Sequence, residues 1–155
     1  MAFRNILQAG DPALTKVCRS VETFDVKLAQ LIDDMFETMR EANGVGLAAS
    51  QVGVLRRVVT IELDGARIEL VNPEITGSEG LQEDVEGCLS FTGQYGITRR
   101  PMKVRVKAQD RNGKWHIYTG EGLKARCFCH EIDHLNGILF KRHVIRMLDP
   151  EEIGK

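Results

Sequence analysis

Two histidines and a glutamate lie close together near the carboxyl end of the sequence, in the segment His130-Glu131-Ile132-Asp133-His134. On a helix, residues four apart share one face, so the imidazoles of His130 and His134 are expected to reach one divalent metal ion. Glu131 is rotated by about 100° from His130, which suits contact with a metal-bound water rather than with the metal. Two histidines leave a catalytic metal short of a protein ligand, so the sequence predicts a third ligand elsewhere.

The strongest candidate for the third ligand is Cys88, in the segment Glu-Gly-Cys-Leu-Ser at 86–90. A thiolate and two imidazoles form a three-ligand site that leaves one coordination position open for chemistry. Cys127 is an alternative ligand, because its helical angle places it on the same side as His130. A closed structural site with Cys88, Cys127, Cys129 and His130 as its four ligands is a further alternative, although Cys127 and Cys129 diverge by about 200° on a helix.

A third segment, residues 44–51, reads Gly-Val-Gly-Leu-Ala-Ala-Ser-Gln. Its small residues allow a substrate backbone to approach closely. Gln51 carries an amide that can donate a hydrogen bond to a developing oxyanion. Taken alone, the segment also fits an ordinary turn between a helix and a strand.

In order and spacing, the three segments resemble the peptide deformylase family, whose pattern is G-x-G-x-A-A-x-Q, then E-G-C-L-S, then H-E-x-D-H. The segments at 6–7 and 10–14 also resemble the opening of that family. The resemblance extends from about residue 3 to about residue 142. Three motifs in the same order are far more specific than any one of them.

The resemblance implies a hydrolase that removes the formyl group from N-terminal formyl-methionine of nascent polypeptides and releases formate. It implies that Cys88, His130 and His134 ligate one divalent metal ion per chain. Glu131 is the implied general base, which accepts a proton from water and passes it to the leaving nitrogen. The implied ion is Fe²⁺, with Zn²⁺, Ni²⁺ or Co²⁺ as substitutes; the residues alone favour zinc equally.

The resemblance also implies which residues contact the substrate. The side chain of Gln51 and the backbone N–H of Leu89 are the implied donors to the oxyanion. The residues implied to contact the methionine side chain or the peptide backbone are Val45, Gly46, Gly87, Leu123 and Cys127. Arg100 and Asp133 are expected to form a pair that orients the metal-binding helix.

Two positions depart from the family pattern. Cys129 stands where Gln usually precedes the first metal histidine, and Thr92 stands where Pro usually follows the Glu-Gly-Cys-Leu-Ser segment. Cys129 is expected to point away from the metal by its helical angle. The loop at Thr92 is expected to be more mobile, because Pro would have restricted φ. Both changes bear on the rate more than on the reaction.

A zincin-type endopeptidase is an alternative function, since that class also uses H-E-x-x-H. Its third ligand commonly follows the motif and is Glu or His. The candidates in this chain are His143, Glu151 and Glu152. None of them is as persuasive as Cys88.

The elements that must position these residues are predicted by hydrophobic periodicity. Apolar residues recur at helical spacing over 28–39, which predicts an N-terminal amphipathic helix that begins at Asp25 and stops at Gly44. Helical spacing returns from about 121 to 136, with Gly137 as the cap, and covers the metal-binding motif.

The segment between these helices reads as strands, at 57–63, at 68–71 and in a hairpin that turns at 110–113. The order of helix, several strands and helix predicts an α+β fold. We expect antiparallel or mixed sheets packed around a central H-E-x-x-H helix, because that helix has one chemical face and one apolar face.

Length and composition restrict the class of protein. The 155 residues, 43% of them hydrophobic, suit one domain over 1–155. A net charge of −1 argues against direct nucleic-acid binding through a broad basic surface. No apolar run is long enough for a membrane helix, and the opening residues lack the pattern of a signal peptide.

We therefore expect a cytoplasmic protein, with a bacterial source favoured and a mature organellar form as the alternative. The partners expected are formyl-methionyl nascent peptides, with a transient ribosome contact left open. The segment at 149–152 is expected to begin a short helix, but its acidic character argues against ribosome docking through this tail.

Overall fold

The first helix, α1 (Val26–Glu41), begins at Asp25, whose carboxylate accepts a hydrogen bond from a backbone N–H of the first turn. Its apolar residues recur at helical spacing and are buried along one side. The chain leaves the helix through Asn43, which adopts a left-handed φ of 58°. The predicted stop at Gly44 is therefore one residue late. Gly44 instead lies against Leu89, where an added Cβ would come within 2.6 Å of the side chain.

The computed structural model describes residues 2–153 and contains two sheets in which every pairing is antiparallel. The five-stranded sheet has the order β1-β2-β3-β6-β7 and the three-stranded sheet the order β4-β5-β8. The strands are β1 (Gly46–Ala48), β2 (Val58–Leu63), β3 (Ala66–Glu79), β4 (Gln82–Gly87), β5 (Tyr95–Arg100), β6 (Lys103–Gln109), β7 (Trp115–Glu121) and β8 (Val144–Met147). The predicted α+β class with antiparallel sheets is confirmed.

The five-stranded sheet separates the two helices. Along β2, Val59 and Ile61 share a core with the second helix, α2 (Leu123–Leu135). Val58 faces the other way and shares a core with α1. Alternate residues of a strand point to opposite faces, so one strand stabilises both layers. Three 3₁₀ helices complete the described elements: Pro12–Thr15, Ala49–Val52 and Phe140–His143.

The three-stranded sheet was not predicted. Strand β4 has the sequence Gln-Glu-Asp-Val-Glu-Gly, which lacks the apolar alternation by which strands are recognised. It forms because β5 pairs with all six of its residues. Strand β8 pairs with β5 on the other side, between segments about 50 residues apart in the sequence. Such long-range pairing leaves no local pattern.

The short helix predicted at 149–152 is wrong. The chain forms a turn there, in which the Glu152 carboxylate accepts a hydrogen bond from the backbone N–H of Asp149. The same carboxylate forms an ion pair with Arg146, and the two contacts close the turn.

No helix in the described part of the chain is long and apolar enough to cross a membrane.

Candidate metal centre and catalytic site

The three predicted metal ligands meet at one point. His130 and His134 project from consecutive turns of α2, and their Nε2 atoms lie 3.2 Å apart. Cys88 follows directly after β4, and its Sγ lies 3.3 Å from Nε2 of His134. The ligand atoms of all three lie within 4.8 Å of one another. A sulfur and two imidazole nitrogens at this spacing suit a borderline-soft divalent ion.

Two buried polar atoms beside this cluster have no protein partner among the described residues. They are Oε1 of Glu131 and Nδ1 of His134. Burial raises the pKa of Glu131 to about 7, although nearby His130 opposes this rise. A carboxylate with a pKa near neutrality can both accept and return a proton. Burial also holds the pKa of His134 well below its usual value, which favours the neutral imidazole that binds metals.

The amide of Gln51 lies next to Cys88. Its Nε2 is 3.6 Å from the Cys88 sulfur and 3.1 Å from Oγ of Ser90. Its Oε1 accepts a hydrogen bond from the backbone N–H of Ala48, which orients the NH₂ group. Gln51 is buried and sits in the 3₁₀ helix that follows β1. The site therefore has an oriented side-chain donor next to the candidate metal ligands.

A cavity of about 600 Å³ opens onto the cluster. It is lined by Glu131, Gln51 and Leu89, and also by every residue predicted to contact substrate, namely Val45, Gly46, Gly87, Leu123 and Cys127. Two of the lining segments are sheet edges, since β1 ends the five-stranded sheet and β4 ends the three-stranded sheet. An extended peptide between such edges can pair with their free backbone groups.

Glu86 is a site residue whose role the sequence reasoning missed. Its Oε2 lies 2.6 Å from Nδ1 of His130, on the side of the ring away from the metal-ligand atoms. Burial alone would raise its pKa, but hydrogen bonds from His130 and Arg100 outweigh burial and hold the pKa well below its usual value. The available signal was position: Glu86 and Cys88 are two residues apart, and such residues share a side of an extended chain.

Known proteins of one family are similar to this chain in sequence and in fold. A sequence model of the family described as polypeptide deformylase matches residues 3–149. A peptide deformylase from Caldicellulosiruptor bescii is 56% identical over 153 residues, which cover 99% of this chain and 92% of the relative. The chain belongs to the peptide deformylase family.

Solved structures of this family agree. The crystal structure of a peptide deformylase from Legionella pneumophila has a TM-score of 0.89 and 50% identity, over 97% of this chain and 88% of that chain. A peptide deformylase from Synechococcus elongatus, solved in complex with actinonin, has a TM-score of 0.90 and 39% identity, over 96% of this chain and 82% of that chain. The predicted function is confirmed: the chain is a metal-dependent hydrolase that removes the formyl group from N-formylmethionine.

The ion pair predicted for this deformylase between Arg100 and Asp133 is present, with Nη1 and Oδ2 2.7 Å apart. The structure adds a partner, because Nη2 of Arg100 lies 2.7 Å from Oε2 of Glu86. Arg126 of α2 also contacts Glu86 and lines the cavity, and sequence reasoning did not identify it as a site residue. A helical angle alone does not show which strand faces Arg126.

The other ligand sets considered from the sequence are not assembled. Among the described residues, the only candidate metal cluster contains neither Cys127 nor Cys129. Burial raises the pKa of Cys127 to about 12 and that of Cys129 to about 11, so both remain thiols at neutral pH. Of the residues considered as a third ligand of a zincin-type site, His143 contacts Asp133 instead, with its Nε2 3.0 Å from Oδ2. Glu152 pairs with an arginine in the tail.

The two departures from the family pattern occupy different surroundings. Cys129 lies in the hydrophobic core between α2 and the five-stranded sheet. Thr92 donates a hydrogen bond to Oε1 of Gln8, and Nε2 of Gln8 donates to the carbonyl of Leu89. Gln8 thus links the amino-terminal segment to the loop that carries Cys88.

Proposed function

We propose that Cys88, His130 and His134 hold one divalent metal ion and that Glu131 is the general base for hydrolysis of the formyl amide. The observation that carries this proposal is the meeting of three potential ligand atoms beside a buried carboxylate oxygen, for which the described part of the chain offers no hydrogen-bond partner. When bound, the ion would supply Lewis-acid activation of water and of the formyl carbonyl.

Each group of the site then has a separate role in the reaction. Glu131 accepts a proton from the attacking water and returns it to the leaving nitrogen, so that the C–N bond breaks and formate and a free amino terminus are released. The Gln51 amide and the Leu89 backbone N–H donate hydrogen bonds to the oxygen that gains negative charge. The support for Gln51 is its orientation by Ala48.

Substrate binding is proposed to use the 600 Å³ cavity. Val45, Leu123 and Cys127 would surround the methionine side chain, and their apolar surfaces favour a thioether over a charged group. The peptide backbone would pair with the sheet edges at Gly46 and Gly87. A related deformylase was solved in complex with actinonin, which makes actinonin a suitable probe for this cavity.

We propose Fe²⁺ as the native ion, as the resemblance to the family implies. Zn²⁺, Ni²⁺ or Co²⁺ should be able to replace it, because a thiolate with two imidazoles suits all four ions. Protein purified without oxygen and without added metal is expected to contain iron, near one atom per chain by mass spectrometry. A high zinc content and no iron under those conditions would contradict the proposal.

The wider setting is also a proposal. We infer one catalytic domain over 1–155 that acts in a bacterial cytoplasm on nascent chains, with a transient ribosome contact. The bacterial sources of the relatives and the family match over 3–149 support this reading. The net charge of −1 supports the expectation of no direct nucleic-acid binding.

The test is formate release from formyl-Met-Ala-Ser by metal-loaded protein. Glu131→Ala is expected to reduce turnover by at least about 100-fold and to retain the metal, because Glu131 is not a ligand. Glu121→Ala is the matched control, since Glu121 is exposed on β7 and should leave turnover unchanged. Normal turnover by Glu131→Ala would disprove the assignment of the base. An internal peptide substrate run in parallel tests the endopeptidase alternative.

A further inference from the structure

The wall of the substrate cavity contains a buried arginine. Arg126 is 3% exposed and lines the cavity together with Leu123 and Cys127 of the same helix. An apolar pocket for methionine gains nothing from a guanidinium, and burying one is costly unless it is paired. Its presence there needs a physical reason other than contact with an apolar side chain.

The contacts of Arg126 supply that reason. Its Nη1 lies 2.9 Å from Oε1 of Glu86 and also donates to Oγ1 of Thr98. Its Nη2 lies 3.3 Å from Oε1 of Gln82. Gln82 in turn donates to the carbonyl of Gly122, the residue that precedes α2. Arg126 therefore joins the start of the metal-binding helix to strands β4 and β5.

The carboxylate of Glu86 is the centre of this network. Its Oε1 accepts from Arg126, Thr98 and Nε of Arg100, and its Oε2 contacts Nη2 of Arg100 and Nδ1 of His130. A carboxylate that holds the far nitrogen of a ligand histidine sets the orientation of that ring. Two arginines on separate elements keep this carboxylate from rotating, one from β5 and one from α2.

We propose that Arg126 is a positioning residue for deformylation: by fixing Glu86, it orients the His130 ring from within the wall of the substrate cavity. The proposal rests on the proposed role of His130 as a metal ligand. Arg126 and His130 are four residues apart and so share one face of α2, which lets one carboxylate engage both side chains. The substrate cavity and the metal centre thus share a structural support.

The test combines Arg126→Met, Arg126→Lys, Glu86→Gln and the Arg126→Met/Glu86→Gln double variant. Arg126→Met removes the guanidinium but keeps an unbranched side chain. We expect its kcat on formyl-Met-Ala-Ser to fall about 10- to 100-fold with a smaller change in KM. We expect Co²⁺ to leave the protein for a chelator about 10-fold faster, with a shift in the visible Co²⁺ spectrum. Arg126→Lys keeps the positive charge but loses the planar guanidinium with its forked N–H donors, so its effects should lie between those of the wild type and of Arg126→Met.

The double variant tests the route through Glu86. If Arg126 acts through that carboxylate, the double variant should be no worse than Glu86→Gln alone in kcat or in Co²⁺ release. Arg99→Met is the matched control, because Arg99 lies beside Arg100 in β5 but forms its ion pair with Glu83 on the surface. It should behave as the wild type.

Several results would overturn the proposal. A change confined to KM, with normal kcat and normal Co²⁺ release, would show that Arg126 only lines the cavity. Additive effects in the double variant would show that it acts independently of Glu86. If Arg126→Met fails to fold, the comparison of Arg126→Lys with Glu86→Gln still applies, and wild-type Co²⁺ release by Arg126→Lys would contradict the proposal. Co²⁺ release does not depend on turnover, so a failure of the assigned base remains distinguishable.

Discussion

The position of the Glu131 side chain depends on Gly46, a residue of β1 that lies against it and has no side chain. Gly46 lies against it, and a Cβ added to Gly46 would lie 2.6 Å from Oε2 and 3.0 Å from Cγ of Glu131. Oε1 of the same carboxylate has no hydrogen-bond partner within residues 2–153. The close approach of β1 therefore limits where the carboxylate can move while one of its oxygens stays available.

Gly46→Ala is predicted to lower kcat/KM for formyl-Met-Ala-Ser by about 10- to 100-fold, because the proposed base must shift to make room. The free energy of unfolding should change much less than the activity. Gly77→Ala is the control, since a Cβ there meets open space. Steady-state kinetics of both variants, with metal content measured, provide the check. Wild-type kinetics in Gly46→Ala would show that Glu131 tolerates displacement.

At the scale of the elements, ion pairs tie α2 to the three-stranded sheet. Arg100 of β5 is buried and contacts both Glu86 of β4 and Asp133 of α2. Its loss leaves a buried carboxylate with fewer partners, which costs more than the pair itself contributes. The adjacent residue Arg99 forms a pair with Glu83 that is exposed to solvent. Arg99 and Arg100 are adjacent in one strand, but their expected contributions to the stability of the fold therefore differ greatly.

Arg100→Ala is predicted to destabilise the fold by about 3 to 5 kcal/mol and to weaken metal retention. Arg99→Ala should change stability by at most about 1 kcal/mol. Urea unfolding and metal analysis of both variants test this difference. Equal stability and equal metal content in the two variants would mean that the network does not hold α2.

The amino-terminal segment is held on α1 by Asp34. Its carboxylate accepts hydrogen bonds from the backbone N–H of Ala2 and the side chains of Gln30 and Arg4. Burial alone would raise the pKa of Asp34, but these contacts outweigh burial and lower it. A group with a lowered pKa in the folded state stabilises that state above its unfolded pKa, about 3.9, and loses this effect as pH falls through the folded pKa.

Asp34→Asn is therefore predicted to be less stable than the wild type at pH 7. The difference between the two proteins should begin to shrink as pH falls below about 4, where Asp34 of the unfolded chain becomes protonated, and should be lost only below the lower pKa of the folded state. Urea unfolding at pH 7 and at pH 3 measures both differences. A difference that stays constant over this range would show that the charge of Asp34 does not contribute.

At the scale of the whole molecule, the residues of the proposed metal centre come from separate layers. Cys88 follows the three-stranded sheet, whereas His130 and His134 belong to a helix packed on the five-stranded sheet. An ion bound to all three residues would link these parts of the folded state. A ligand that binds only the folded state stabilises it by mass action.

Removal of the metal is predicted to lower Tm by about 5 to 10 °C, if the ion was present at about 100 times its Kd. Cys88→Ser should abolish most of this metal-dependent difference. Cys18→Ser is the control, because Cys18 is buried outside the metal cluster and should keep the difference. Calorimetry with and without a chelator measures these shifts, and a Tm that does not depend on metal in the wild type would contradict the prediction.

Much of the local chemistry is predictable from the order of the amino acids alone. The spacing of His130 and His134 places them on one helical face, and helical or strand periodicity identified α1, α2, β2 and the β6–β7 hairpin. The order of three motifs was sufficient to name the family. These features depend on residues close together in the chain, where the backbone geometry of each element fixes their relation.

The contacts between distant segments become visible only in the folded molecule. The pairing of β5 with β8, the shared carboxylate of Glu86 and the entry of Arg126 into the cavity wall join residues that are tens of positions apart. Strand β4 is too polar to be recognised alone, and a helical angle does not identify the partner of a helix face. Strand register and helix packing set these contacts, and both are properties of the assembled core rather than of any local pattern.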